Sequence, residues 1–473
     1  MQTQDNKDLF LKVWRNVFIR TRILKMLSLY RFNYKEFDSR KDLLEYADRD
    51  YITDLKCQFN EELQVGDIPY GTRSIEFFSL YNYELKKDVL PPNIKNIYFG
   101  RSFNKPIKPG ILPPSTQEIT FNYDYNQSLI ESAIPDGVKT ITFNVNFKKT
   151  IKKNDLPPSL KTLVIPGFNQ EIKKGVFPQD LEYLSLTDFN QTIKSDQLPP
   201  SLKFLRLGDH YNSPLKVGSL PMGLETLIFD SHYNLPLKRN VIPSSIRTII
   251  FSSFDHPLKG FDLPLGLHTL ILGYSFNQPL KPGDLPKSLH TIKFSYQFNT
   301  PLVVDSLPMS IERIIFGQSF KQVLFKGHIP ESVKDIKFGP FYNLPLNQYS
   351  IPNGVETITF GFSFNQPLFL PPTAKRVNLD SHFNQPIFGL PNNIEHLSFG
   401  YFFNQPIKGA LPTSLKSLEL GPSFAYRITS DCLPPSLETL TLYYENQNPI
   451  NDNLDLPKTI KVIYKRFMPK KIY

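Results

Sequence analysis

Five histidines fall on two recurring positions of the chain: His210, His232 and His382 share one, and His268 and His290 share the other. Imidazoles spaced in this way could meet in adjacent turns and approach a metal, but a pair without carboxylate or thiolate makes an incomplete site. The two cysteines, Cys57 and Cys432, stand near opposite ends, which argues against a disulfide framework and for a reducing compartment. No Gly-x-Gly-x-x-Gly, P-loop, His-Glu-x-x-His, Cys-x-x-Cys or Gly-x-Ser-x-Gly pattern is present. A catalytic centre needs unlike groups brought together once, whereas this chain supplies like groups many times. The expectation is a protein that is not an enzyme and uses no metal or cofactor.

Two other sets of like groups could bind rather than react. Lys152, Lys173, Lys194, Lys216, Lys238, Lys259 and Lys281 occupy one repeated position, preceded by Lys86 and Lys108 and rejoined by Lys408. Like charges about 5 Å apart in water repel by about 1 kcal/mol or less, so a wet column is tolerable. Its aliphatic stems would cover an apolar edge, and an acidic partner or polyanion lying along it would bind in a salt-dependent way. The second set comprises Thr226/Ile228, Thr248/Ile250, Thr269/Ile271, Thr291/Lys293 and Arg313/Ile315, which stand between apolar positions of strand-like segments. Facing outward, three successive Ile would form an exposed apolar stripe flanked by Arg206 and Lys293. Simple strand propensity explains Thr and Ile there; a site for a protein partner explains them equally.

Both sets depend on a repeat. The word "SFNQPL" occurs at Ser275–Leu280 and again at Ser363–Leu368, with variants such as "FFNQPI" at Phe402–Ile407. Aligned on its Asn, the chain holds nineteen units from Asn60 to Gln447, stepped by 22 residues in most cases, by 21 in four, and by 19 and 20 around Asn384. A fixed period of this size predicts a solenoid of stacked coils. Segments such as Leu160-x-x-Leu163-x-Ile165 and Ile311-x-x-Ile314-x-Phe316 alternate with a period of two, so each coil contributes one short strand to a parallel sheet. The word carries Phe or Tyr in 18 of 19 units, which predicts a buried ladder of rings. Its Asn, present in 14 units, can satisfy stranded backbone groups at a corner; Lys148, Asp255, Lys321, Ala425 and Gln447 depart from it. Leu-Pro or Ile-Pro closes eighteen units and Phe177-Pro178 the remaining one, and proline bars a helix from the return limb.

The unit "LPxSLKxLxFGxxFNQPLxxG" resembles the FNIP repeat, a relative of leucine-rich repeats that is expanded in amoebae. The resemblance spans roughly residues 51–464. It implies a mainly β, leucine-rich-repeat-like solenoid with a protein-binding role, and it brings no catalytic residues. The expected organisation is a helical segment at 1–50, a solenoid at 51–464 and a basic tail at 465–473.

Composition fits this reading. Forty-two Pro beside 39 Phe indicates a packed fold rich in turns, because disordered chains lack the apolar residues to bury. The net charge of +10 is concentrated at the ends: residues 1–31 carry +5 and Lys458–Tyr473 carry +6, so the body is near neutral and nucleic acid is an unpromising partner. No signal sequence opens the chain and no apolar stretch reaches the ~18 residues of a membrane span, which makes the cytoplasm the expected location. The sequons at Asn126 and Asn190 fall inside the word and read as accidents of it. At the N-terminus Leu9–Tyr30 spaces Leu11, Trp14, Phe18, Ile23 and Leu27 among basic residues, and a second helical stretch is expected over Arg40–Asp50. These segments could cap the first coil, bind a membrane surface or partner, or act as a divergent F-box-like adaptor for a ubiquitin ligase, although the Leu-Pro opening of an F-box is missing. The sequence alone leaves the partner's identity and the oligomeric state open.

Overall fold

Alternation turns the start of every coil into a strand. In Thr226–Phe229 the side chains of Leu227 and Phe229 are fully buried while Thr226 and Ile228 are half-buried. The computed structural model describes residues 33–444 and 456–466. They form two units, one running up to Tyr211 and taking in Gly218–Leu224, the other made of Asn212–Val217 and the described residues from Glu225 onward.

The first unit holds β1 (Tyr34–Phe37), α1 (Arg40–Glu45), a 3-10 turn (Arg49–Tyr51), β2 (Asp54–Cys57), β3 (Ser74–Phe77), β4 (Asn96–Tyr98), β5 (Glu118–Thr120), β6 (Thr140–Thr142), β7 (Thr162–Val164), β8 (Tyr183–Leu186) and β9 (Phe204–Leu207). The second holds β10 (Thr226–Phe229), β11 (Thr248–Phe251), β12 (Thr269–Leu272), β13 (Thr291–Lys293), β14 (Arg313–Ile315), β15 (Asp335–Lys337), β16 (Thr357–Thr359), β17 (Arg376–Asn378), β18 (His396–Ser398), β19 (Ser417–Leu420), β20 (Thr439–Tyr444) and β21 (Lys461–Arg466). Within each unit, consecutive strands pair in parallel in chain order, so Leu227 lies beside Ile249, Ile249 beside Leu270 and Leu270 beside Ile292. The nineteen expected coils start with β2 through β20.

The ends depart from expectation. β1 lies inside the segment expected to be helical and pairs in parallel with β2, Tyr34 opposite Asp54. Helix α1 is shorter than the stretch Arg40–Asp50: Ser39 Oγ accepts the Asp42 N–H at 3.1 Å at its start, and the chain leaves helical geometry at Tyr46. No proline interrupts residues 38–50, so this coil can build its return limb as an α-helix, and Leu43 is fully buried. Of the basic tail expected at 465–473, Lys465 and Arg466 belong to β21, and the rest lies, with Leu9–Tyr30, outside the described residues.

Two ladders of rings fill the core. The ring just past the strand and the word aromatic of one coil stack on each other, as Phe121 and Tyr125 do at 4.0 Å and Phe316 and Phe320 at 4.2 Å. Between coils the strand-side rings lie 5.1 Å apart (Phe121–Phe143) or 5.5 Å (Phe294–Phe316), and the word-side rings 6.1 Å (Phe103–Tyr125) or 6.0 Å (Phe298–Phe320). Neighbouring coils thus hold their rings further apart away from the sheet than beside it. Close approach is needed at the corner after the strand: a Cβ on Gly339 would lie 1.9 Å from the Gly317 carbonyl oxygen, which excludes any larger residue.

Asparagine fastens one coil to the next. The Asn299 Oδ1 accepts the Lys321 N–H at 2.8 Å and the Gln322 Nε2–H at 3.2 Å, and the same bond recurs from Asn126 to Asn104 and from Asn404 to Asn384. Asp255 serves as well as Asn here, because its Oδ1 accepts the Asn277 N–H at 2.8 Å. Lys148 and Lys321 supply no side-chain acceptor, and the chain of ties is interrupted after each. A second ladder runs at the proline corner, where Ser310 Oγ donates to the Leu289 carbonyl and Ser332 Oγ to the Ile311 carbonyl, both at 2.7 Å.

Asn299→Ala leaves the Lys321 N–H without its acceptor and lowers stability by about 1–2 kcal/mol, whereas Asn299→Asp costs less than half of that; urea unfolding followed by circular dichroism measures both. The hydroxyls of Tyr125 and Tyr342 are buried without a hydrogen-bond partner, so Tyr125→Phe and Tyr342→Phe each raise stability by about 1 kcal/mol in the same assay. Burial pushes both hydroxyls well above the usual phenol range and that of Tyr233 up to about 12. The unfolded chain ionises these groups near pH ~10 while the folded chain keeps them neutral, so their contribution is intact below pH ~10 and is lost above it. Alkaline titration of the Tyr125→Phe/Tyr342→Phe variant therefore shows unfolding at a higher pH than the wild type.

Candidate interaction surfaces

The outward residues of β10–β14 share one face of the sheet in strict register. Thr226, Thr248, Thr269 and Thr291 form one row, followed by Arg313; Ile228, Ile250, Ile271, Lys293 and Ile315 form the next. The sequence places these isoleucines in the open, but Ile228, Ile250 and Ile271 are half-buried. Strands about 4.8 Å apart put equal side chains in contact, and each isoleucine shields its neighbours. Lys293 is exposed and Ile315 lies between it and Lys337, also exposed. Arg313 is tied to Asp335 at 3.0 Å, so the apolar patch ends in charge beyond β12.

The first unit carries a feature of the same face that the repeat pattern does not announce. Tyr183 and Phe204, at the row where most coils hold a small polar residue, stack at 4.1 Å with both rings half-exposed. Its only signal in the sequence is two aromatic residues in consecutive units at a position otherwise rich in Thr.

Every lysine of the repeated column is exposed, Lys152, Lys173 and Lys194 in the first unit and Lys216, Lys238, Lys259 and Lys281 in the second. Their electrostatics differ. In the first unit Lys86 pairs with Glu62 at 2.8 Å, Lys108 with Glu84 at 2.5 Å and Lys194 with Glu171 at 2.5 Å. The glutamate comes from the preceding coil, two residues past its Asn, and the lysine ammoniums hold the Glu84 and Glu171 carboxyls below the usual carboxylate range. In the second unit that position is proline, at Pro214, Pro236 and Pro257. Asp262 and Asp284 instead bind the backbone N–H groups of Lys259 and Lys281, at 3.0 and 2.7 Å. Among the described residues Lys238, Lys259 and Lys281 form no ion pair.

The histidines are held by backbone and rings. His268 and His290 stack at 5.0 Å, and each turns Nδ1 to a carbonyl oxygen, of Gly266 at 2.7 Å and Ser288 at 2.6 Å, which requires Nδ1 to carry the proton. His382 sits edge-on to Phe362 at 4.2 Å. Among the described residues no group of three or more His, Cys, Asp or Glu side chains could hold a metal ion. Cys57 is buried in the core and Cys432 half-buried, both free, and burial pushes the Cys57 thiol up to about 12, far from reactive thiolate. Among the described residues no helix is long and apolar enough to cross a membrane.

The repeat and the fold have counterparts in known proteins. The profile of the FNIP repeat matches ten segments, from residues 81–124 to 403–445. Among solved structures, the circular leucine-rich-repeat protein CroV588 superposes with a TM-score of 0.71 at 28% identity, over 88% of this chain and 73% of its own. A chain of the mouse RP105/MD-1 complex superposes with a TM-score of 0.53 at 13% identity, over 86% of this chain and 82% of its own, a likeness of fold. No curated protein matches the sequence.

Proposed function

The chain belongs to the FNIP repeat family, and from that premise we propose that it is a non-enzymatic scaffold that holds a protein partner against the outward face of β10–β14. The observation that carries the reading is the row Ile228, Ile250 and Ile271, three half-buried isoleucines side by side on the face of the sheet turned away from the core. Interior packing does not require them, since the same row holds Thr359, Asn378 and Ser398 further along the unit.

A compact apolar centre with a charged rim is the usual layout of an interface hot spot. Thr226, Thr248 and Thr269 offer hydroxyls along one side, and Lys293 with Lys337 sets positive charge around Ile315. A partner would present an apolar side chain or two to the isoleucines and an acidic group to the lysines. The fold supports such a role through its likeness to leucine-rich-repeat proteins. The basic edge is the second surface open to a partner, and Lys238, Lys259 and Lys281, which form no ion pair among the described residues, favour an anionic one.

Affinity capture with the intact chain, compared with Ile250→Glu, tests the reading. A charge on the half-exposed row leaves the core untouched, so the variant keeps the thermal unfolding of the wild type and loses roughly tenfold or more in affinity for the partner that the wild type retains. Equal retention by both proteins removes this face from consideration.

A further inference from the structure

The repeated lysine position changes character within the second unit. Four residues past the word's Asn the coils hold Lys216, Lys238, Lys259 and Lys281, then Val303, Phe325, Asn347, Phe369 and Phe388, and then Lys408. The register does not slip along the way. Lys321 N–H reaches Asn299 Oδ1 at 2.8 Å, Asn365 N–H reaches Asn343 at 2.8 Å and Asn384 N–H reaches Asn365 at 2.9 Å, so each residue of the run stands one coil beyond the last.

These side chains are exposed: Phe325 by 56%, Phe369 by 48% and Phe388 by 79%. Packing does not call for a ring there, because lysine or asparagine fills the position in other coils. Two neighbouring turns add rings already covered by a cation, Phe261 under the Arg239 guanidinium at 4.8 Å and Tyr349 under the Lys326 ammonium at 5.6 Å.

We infer that this back edge of the second unit docks on an anionic lipid bilayer, with Phe325, Phe369 and Phe388 entering the interface and Lys238, Lys259 and Lys281 meeting the headgroup phosphates. Aromatic rings interleaved with lysine and arginine are the composition that partitions to the boundary between headgroups and acyl chains. The rings project beside turns, Phe325 and Phe388 each within two residues of a positive-φ glycine, Gly327 and Gly389. A bilayer closes around projecting rings, whereas a protein partner would have to supply a pocket for each. Charge fits as well: among the described residues Lys238, Lys259 and Lys281 form no ion pair, Asp262 and Asp284 accept from backbone N–H groups, and the remaining acid of these turns, Asp305, is outnumbered. Each lysine near an anionic surface adds attraction that salt weakens.

Co-sedimentation of the purified full chain with phosphatidylcholine vesicles containing or lacking phosphatidylserine tests the inference. The wild type pellets with the phosphatidylserine vesicles and stays largely in solution with the others. Phe325→Glu/Phe388→Glu and Lys238→Glu/Lys259→Glu each lower the partition coefficient roughly tenfold, while Ile250→Glu leaves it unchanged. The chain's one tryptophan is Trp14, so Phe325→Trp in a Trp14→Phe background reports insertion directly as a blue shift of fluorescence on adding the same vesicles. A wild type that stays in solution with both vesicles overturns the inference and leaves the stripe to a protein contact. Pelleting that neither double variant reduces, or indole emission of the Phe325→Trp variant that vesicles do not move, overturns it too.

Discussion

A coil stacked on copies of itself places its strand about 4.8 Å from the next, and each side chain meets its counterpart in the next coil, as Phe121 meets Phe143 at 5.1 Å and Phe298 meets Phe320 at 6.0 Å. What a residue does to its own copy decides whether a position can hold it nineteen times. Phenylalanine passes because rings stack, and the paired ladders through Phe121 and Tyr125 or Phe316 and Phe320 are the result. Asparagine passes because its amide oxygen accepts the N–H of the same position one coil on, as Asn299 does for Lys321. Glycine passes at Gly339 because anything larger would strike the carbonyl of the coil before it. Lysine passes only in water, and in the first unit glutamates from the preceding coils neutralise several members of the column.

The same rule separates what can vary from what cannot. Inside, tyrosine replaces phenylalanine in several coils, since the rings still stack, yet its hydroxyl is carried into the core without a partner at Tyr125 and Tyr342. At the rim, aspartate replaces asparagine at Asp255 without loss of the tie, because acceptor chemistry is what the next coil needs. On the sheet face and the back edge, contact with solvent relaxes the demand, and there one row runs from isoleucine to lysine and another from lysine to phenylalanine. Specific binding has to be written in such rows, because the interior says the same thing in every coil.

Much of the fold is legible in the sequence because it is stated nineteen times. The strand, the buried ring and the proline corner can be read from period and alternation alone, and the structure places them where the spacing puts them. Features stated once are harder. β1 occupies four residues without a word after it, and Arg40–Asp50 reads as one helix although α1 ends at Glu45. The serine ladder is hidden because Ser310 and Ser332 follow prolines, where a hydroxyl passes for ordinary turn chemistry. Of the candidate surfaces, the isoleucine row is visible in the sequence but reads as exposed, since mutual shielding across a parallel sheet is a property of neighbours and not of any one strand. The apolar run is masked by its own column: identified by lysines, the position makes Val303, Phe325 and Phe388 look like gaps.

Lys321 shows how a break in a column can gain something. As the successor of Asn299 it donates its N–H to the ladder, but it has no acceptor to hand on, so the tie stops in its coil. Its ammonium lies instead 5.8 Å from the centre of the exposed Phe341 ring, and Phe325 stands in the same coil, four residues on. A position that binds coil to coil elsewhere has here been turned toward the surface, at the stretch where the back edge becomes aromatic. The lost hydrogen bond is a stability cost of order 1 kcal/mol borne by one junction among many, which a long stack of near-identical interfaces can absorb. Such an array can therefore give up internal regularity locally, and a surface that departs from the repeat is where that freedom is put to use.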